Sequence, residues 1–216
     1  MNFWRLQGWL YETLFTLVPH RKLVSDTAEA INRHSGIVLD AGCGTGKLSE
    51  YAGRSVVGID FSDTMLHVAK KRSSSLVRGD LNGSLPFPSS TFGAVVSLNV
   101  LYTLEEPEKM LQEAYRVLES GGELILATPT SQRLVPLVTE HLRTASRKEI
   151  FISILNFPRF IAWAFNLAIR GLFENSNFHF YSEAELVAMC ESAGFRVLQI
   201  APCYAEIDAM VIARKV

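Results

Sequence analysis

The chain has 216 residues, enough for one well-buried core, and this length favours a single domain over residues 1–216. Its 21 basic and 22 acidic residues give a formal net charge of -1 and form no polybasic stripe, which argues against a nucleic-acid partner. The cysteines, Cys43, Cys190 and Cys203, are odd in number and widely spaced, which fits neither a disulfide framework nor a zinc site and predicts a reducing, cytoplasmic setting.

The first 34 residues have a helical pattern. Apolar residues recur at spacings of three and four, at Phe3, Leu6, Leu10, Leu14 and Leu17. Pro19 predicts a boundary between two helices. The segment lacks the pattern of a secretory leader, so we expect no signal peptide. These residues are predicted to form an N-terminal helical cap over 1–34.

From residue 37 onward, strand-like runs alternate with helix-like runs, which predicts a parallel sheet. The predicted strands are 37–39, 55–59, a short run before Gly79, 92–98 and 123–128. The predicted helices between them begin at Lys47, span 64–72 and span 108–118. Near the C-terminus, a helix over 182–193 with Ser182 as its N-cap precedes strands over 196–200 and 209–213.

A glycine loop follows the first predicted strand, with the sequence DAGCGTG over residues 40–46. Glycines at alternate positions let the backbone turn tightly and approach a ligand closely. A dinucleotide-binding fingerprint would have glycine or alanine where this chain has Lys47, and the phosphate-binding Walker loop is not matched either. We therefore expect a loop for another ligand, with Lys47 as a solvated helix residue.

The segment 130–181 is longer than the connection between a strand and the next helix needs to be. We therefore predict a helical lid insertion there. The stretch 151–173 is apolar on most sides, and Pro158 should kink its helix. Its polar residues form a narrow stripe along the otherwise apolar helix, and they are Ser153, Asn156, Arg159, Asn166 and Arg170. Four interpretations stay open: an acceptor pocket, a dimer interface, a membrane-surface contact, or simple completion of the core.

Three motifs carry a resemblance to a known family. DAGCGTG, then VVGIDFSDTMLHVAKKR, then LVRGDLNGSLPFPSSTFGAVVSLNVLYTL resemble, in order and spacing, the class I S-adenosylmethionine-dependent methyltransferases of type 11, over residues 37–129. The resemblance implies a Rossmann-like, doubly wound α/β fold. It comprises a mostly parallel seven-stranded sheet with helices on both faces and an antiparallel C-terminal strand, here within residues 182–216. The implied cofactor is S-adenosylmethionine, with S-adenosylhomocysteine as product.

The resemblance also implies which residues hold the methyl donor. Asp60, which closes the second strand, would accept hydrogen bonds from both ribose hydroxyls, a geometry that suits one carboxylate. Asp80 would bind the adenine amine, beside Leu81. The remaining implied contacts are Phe61 and Met65 on the adenine faces, Asp40, Gly42, Gly44 and Asn99 around the methionine portion, and Tyr11 folded over the donor.

Methyl transfer needs alignment and exclusion of water more than a reactive side chain, because the sulfonium is already activated. If the acceptor is an oxygen, a base would help, and the candidates are His179 and Tyr181, followed by His141 and Tyr102. We expect a small, hydrophobic acceptor. The alternatives are another S-adenosylmethionine-using reaction on the same fold and a non-catalytic partner subunit.

Overall fold

The computed structural model of the chain describes residues 11–130, 135–173 and 178–216, with the backbone only at 160 and 163–173. The predicted helical positions Phe3, Leu6 and Leu10 therefore lie outside the described residues. A 3-10 helix over Glu12–Thr16 is followed by helix α1 over Val18–Ile31, and the chain is extended at Leu17 between them. Pro19 lies in the first turn of α1, where proline is tolerated. The predicted boundary between two helices is thus confirmed.

The remaining elements alternate as the sequence predicts. The strands are β1 (Val38–Ala41), β2 (Val56–Asp60), β3 (Leu76–Arg78), β4 (Phe92–Leu98), β5 (Leu118–Pro129), β6 (Phe195–Cys203) and β7 (Asp208–Lys215). The helices are α2 (Lys47–Ala52), α3 (Asp63–Ala69), α4 (Pro107–Val117), α5 (Val135–Thr144), α6 (Arg147–Phe173) and α7 (Glu183–Ser192). A short 3-10 helix over Leu101–Thr103 follows β4.

The seven strands form one sheet in the order β3-β2-β1-β4-β5-β7-β6. Pairing is parallel from β3 through β5, whereas β7 is antiparallel to both of its neighbours. The mostly parallel sheet and the antiparallel C-terminal strand are therefore confirmed.

Helices cover both faces of the sheet, and alternate residues of β4 show this directly. Ala94 and Val96 pack in the cluster that includes α1 and α2, whereas Val95 packs in the cluster that includes α4 and α7. All three side chains are fully buried, as expected for a parallel strand covered on both sides. The predicted doubly wound architecture is confirmed.

The start of β5 differs from the sequence prediction, and the kink predicted at Pro158 stays a prediction. Strand β5 begins at Leu118 instead of Glu123, because Leu118 already pairs with Phe92 before the chain passes Gly121, whose φ is +77°. Helix α6 runs through Pro158 without ending there. Within the described ranges, no helix combines the length and apolarity that crossing a bilayer requires.

The strand order reverses direction between β1 and β4, because the chain lays β2 and β3 on one side of β1 and then returns to place β4 on the other. Such a switch point opens a crevice at the carboxyl ends of the two strands, where ligands bind in open α/β sheets. The glycine loop follows β1 and Asn99 follows β4, so both lie at this crevice.

Candidate functional site

The glycine loop turns sharply at the end of β1. Gly42, Gly44 and Gly46 have φ values of +84°, +50° and +76°, which side chains other than glycine's adopt only with strain. The backbone N–H groups of Gly42 and Cys43 both donate to the carbonyl of Ile59, at 2.8 and 3.0 Å. These bonds tie the loop to the end of β2.

Close packing adds a second requirement at Gly42. A Cβ atom there would lie 2.3 Å from Cγ2 of Val100, the residue after Asn99. Glycine is therefore needed for two reasons, conformation and space.

The carboxylate of Asp60 organises the loop from the neighbouring strand. Its Oδ2 accepts a hydrogen bond from Gly44 N–H at 2.9 Å, and its Oδ1 accepts one from Ser62 N–H at 2.9 Å. Burial raises the pKa of Asp60, and these two hydrogen bonds oppose that rise. Asp60 thus lies beside the glycine loop, and its contact with the ribose hydroxyls stays a prediction.

Asp40 is the second acidic group of the site and is 4 % exposed. Burial, and then the nearby charge of Asp60, raise the pKa of Asp40 to about 7. A buried carboxyl that titrates near neutrality would gain from a cationic ligand, because an opposite charge favours the ionised form.

Aromatic side chains from the N-terminal segment close the crevice. Tyr11 lies 3.9 Å from the position that a Cβ on Gly44 would take, and its ring makes edge contacts with Phe15 and His20. Tyr11, Phe15 and His20 line a cavity together with Asp40, the glycine loop and Asn99. Its free volume is about 40 Å³, and it is partly open to solvent.

Two polar atoms in the wall of this cavity are buried and make no hydrogen bond to the described residues. They are Oγ1 of Thr45 and Oδ1 of Asn99. Buried polar atoms are normally satisfied, so the two atoms fit a bound ligand that offers hydrogen-bonding groups at both places. The amino-acid end of S-adenosylmethionine has such groups. Asp40 lines the same cavity, and its contact with the ammonium stays a prediction.

The residues predicted to surround adenine lie on the β2 and β3 side of the crevice. Phe61 is 58 % exposed and Met65 is half-buried, so both are available to a flat ring. Asp80 is exposed and accepts hydrogen bonds from the backbone and side chain of Asn82, at 2.9 and 3.1 Å. Leu81 is buried in the hydrophobic core. The adenine contacts remain predictions.

The candidate bases lie apart from the cavity. His179 is exposed and its ring centroid is 4.5 Å from that of Tyr181, which is buried in the core. His141 is buried and bound at both ring nitrogens, accepting from Val18 N–H at 3.2 Å and contacting Ser153 Oγ at 2.9 Å. Tyr102 packs against Phe178 and Phe180. A role as base remains a prediction for each.

Sequence analysis missed several residues of this region. Lys47 is not solvated as expected: its side chain is 16 % exposed, lines the cavity and lies over the Phe15 ring at 5.1 Å. His20 is buried, and burial lowers its pKa to about 3. Asp208, at the start of β7, is 2 % exposed, lies near Asn99, and accepts no hydrogen bond of standard geometry from the described residues. Of these three residues, only His20 could have been predicted, because the 3.6-residue pattern of the helix places it with apolar neighbours.

Comparison with known sequences agrees with this geometry. Residues 39–126 match a family model described as a methyltransferase domain. Demethylmenaquinone methyltransferase of Renibacterium salmoninarum is 38 % identical over 133 residues, 58 % of this chain and 55 % of that protein. Phosphatidylethanolamine N-methyltransferase of Cereibacter sphaeroides is 34 % identical over 120 residues, 51 % of this chain and 59 % of that protein. The chain thus spans a little over half the length of these relatives.

Comparison with solved structures supports the fold. A methyltransferase of Thermotoga maritima described as dependent on S-adenosylmethionine superposes with a TM-score of 0.66, covering 99 % of this chain and all of that one at 20 % identity. At this identity the likeness concerns the fold alone. The matched segment, the motif order and the sheet topology agree with one another, and residues 39–126 are similar to a methyltransferase domain.

Proposed function

We propose that this chain binds S-adenosylmethionine in the crevice between β1 and β4 and transfers its methyl group to a small, hydrophobic acceptor of the quinone type. The observation that carries the donor assignment is the hydrogen bond of the Gly44 N–H to the Asp60 carboxylate, beside a cavity that Gly44, Asp40 and Asn99 line. The acceptor class is supported by the names of the relatives, several of which act on demethylmenaquinone.

Each residue of the site would have a distinct part in holding the donor. The ribose hydroxyls would bind Asp60, and the ammonium would lie near Asp40 and the side-chain oxygen of Asn99. Tyr11 and His20 would keep water away from the reacting centre, since both rings line the cavity, His20 buried and Tyr11 half-buried. When bound, the donor supplies an activated methyl on its sulfonium, so these residues mainly bind and orient.

The small free volume of the cavity has a consequence for binding. Only about 40 Å³ of it is free of close protein atoms, so the methionine portion of the donor would fit best with the aromatic side chains displaced. We expect the segment that carries Tyr11, Phe15 and His20 to move outward when the donor enters. The N-terminal segment would then act as the cover of the site.

The test is product formation with a methyl-labelled donor. The protein is incubated with labelled S-adenosylmethionine and, separately, with a demethylated quinone and with phosphatidylethanolamine, and the products are identified by mass spectrometry. Label in the quinone supports the proposal as stated. Label in the phospholipid alone would support methyl transfer but overturn the acceptor class. Binding of the donor without any methylated product from a panel of hydrophobic acceptors would favour a non-catalytic subunit instead.

A further inference from the structure

Two polar residues of helix α6 contact the body of the protein. Ser153 Oγ donates to the Thr16 carbonyl at 3.3 Å and contacts His141 Nε2 at 2.9 Å. One turn earlier, Glu149 forms an ion pair with Arg21 of α1. The side of the helix that carries these two residues therefore faces inward.

The opposite side of the helix is apolar and faces solvent. Phe151, Ile154 and Leu155 are 60 %, 63 % and 62 % exposed. Their spacing of three and four residues places them on one face, which continues through Pro158 to Ile161. A surface helix of a soluble domain normally has the reverse arrangement, and a large exposed apolar face marks an interaction site. We name Phe151, Ile154, Leu155, Pro158 and Ile161 the outer face of α6.

Basic residues lie at the start of this face. Arg147 is four residues before Phe151, and Lys148 is seven before Leu155, so both share the sector of the helix that the outer face occupies. Residues 147–159 of α6 carry three basic side chains and one acidic side chain, giving 3 - 1 = +2, whereas the whole chain has a net charge of -1. The single acid, Glu149, is paired with Arg21 on the inward side. The outer face is thus apolar with a positive border.

An apolar helix face with basic residues beside it is the pattern of helices that lie in the interface of an anionic bilayer. Apolar side chains enter the headgroup region and the cations bind lipid phosphates. A two-fold dimer through the same face would bring two sets of like charges together, which is unfavourable.

We propose that the outer face of α6 docks on the surface of an anionic lipid bilayer, with Phe151, Ile154 and Leu155 inserted and Arg147 and Lys148 at the headgroups. The inference goes beyond the proposed methyl transfer and does not depend on it, because the helix alone carries it. It gives the chain a way to meet acceptors that reside in a membrane.

The experiment is vesicle sedimentation with the full chain. Vesicles of phosphatidylcholine alone are compared with vesicles that also contain phosphatidylglycerol, at low and high salt. We expect binding to the anionic vesicles, with little binding to the neutral ones, and weaker binding as salt screens the cations. Binding is measured without any methyl transfer, so a failure of the proposed activity would leave this result interpretable.

Matched variants locate the binding face. Phe151→Ser with Leu155→Ser should reduce vesicle affinity at least tenfold, whereas Arg147→Gln with Lys148→Gln should reduce it about fivefold for each charge removed. The control is Ile37→Ser with Leu198→Ser, which changes two apolar residues that are 52 % and 42 % exposed elsewhere on the surface. Circular dichroism checks that each variant is folded, and a variant that fails this check is replaced by the corresponding single substitution.

Three results would overturn the proposal. The first is no preference for anionic vesicles by the wild-type chain. The second is equal loss of binding in the control pair and in the α6 pair. The third is a concentration-dependent dimer, seen by analytical ultracentrifugation, that Phe151→Ser with Leu155→Ser abolishes, because the face would then be covered by a second copy of the chain.

Discussion

The Asp60 carboxylate and the Gly44 N–H are joined by a hydrogen bond of 2.9 Å that spans two neighbouring strands of the sheet. Strand β1 ends just before the glycine loop and β2 ends at Asp60, so parallel pairing of the two strands places the loop and the acid side by side. A hydrogen bond to a charged acceptor is stronger than one between neutral groups. The bond therefore fixes the loop in its left-handed conformation before any ligand enters.

Gly42→Ala should destabilise the protein more than Gly53→Ala. Both glycines have positive φ, so both substitutions bear a conformational cost of roughly 1–2 kcal/mol. At Gly42 the new methyl also meets Val100, 2.3 Å away, which adds about 1–3 kcal/mol, whereas at Gly53 nothing lies within 4 Å. Urea denaturation measures the difference. Equal losses in the two variants would show that Val100 does not crowd the loop, and Gly42→Ala combined with Val100→Ala should recover part of the loss.

Donor binding should release protons near neutral pH. Burial and Asp60 raise the pKa of Asp40 to about 7, so about half of the Asp40 carboxyls hold a proton at that pH. The ammonium of the donor favours the ionised form and expels this proton, so affinity should rise between pH 6 and pH 8. Calorimetric titration in two buffers of different ionisation enthalpy gives the number of protons released. Asp40→Asn should release none, and identical heats for the wild type in both buffers would contradict the assignment.

Asp208 should make the protein less stable as the pH rises. Burial raises the pKa of Asp208 to about 8, partly opposed by Asn99. The native state keeps this proton between about pH 4 and pH 8 while the unfolded state has lost it, so the stability contributed by Asp208 is present below pH 4 and is lost through this window. The free energy of unfolding of the wild type relative to Asp208→Asn should fall by at most about 1.4 kcal/mol per pH unit. A difference in the free energy of unfolding between the two proteins that stays constant at pH 5.5, 6.5 and 7.5 would contradict this prediction.

Arg72 should contribute more to stability than an exposed arginine. Its guanidinium bonds Glu12 at 2.7 Å, Glu50 at 2.6 Å and the Thr45 carbonyl at 2.9 Å, and its side chain is 17 % exposed. We expect Arg72→Gln to cost about 1–3 kcal/mol, because it leaves partly buried acceptors without a donor. Arg33→Gln is the control, since Arg33 is 72 % exposed and lies 3.9 Å from Glu29. That change should cost no more than about 0.5 kcal/mol in thermal denaturation.

Sequence reasoning predicted the core of this fold because local patterns and chain order determine it. The run Phe92 to Leu98 is apolar except at Ser97 and forms the central strand β4 with those bounds. The glycine loop and Asp60 could be placed together from the order of two strands alone. Leu118 was assigned to a helix because its pairing with Phe92 depends on residues far apart in the chain.

The side chains that cover the site were harder to predict. His20 reaches the cavity because α1 folds back over the sheet and packs its ring against Phe15, 4.3 Å between centroids. Lys47 is shielded by that same Phe15 ring. Tertiary contacts of this kind leave no periodic signal in the sequence. The outward direction of Phe151 and Leu155 on α6 is a further example, since the same pattern would serve a buried helix equally well.

The central claim is that Asp60 and the glycine loop bind S-adenosylmethionine, and calorimetric titration with S-adenosylhomocysteine tests it most directly. The wild type and Asp63→Ala should bind alike, because Asp63 is an exposed residue three positions beyond Asp60. Asp60→Ala should bind about 10- to 100-fold more weakly, through loss of two charge-assisted hydrogen bonds. Equal affinity in all three proteins, or no binding by the folded wild type, would contradict the account.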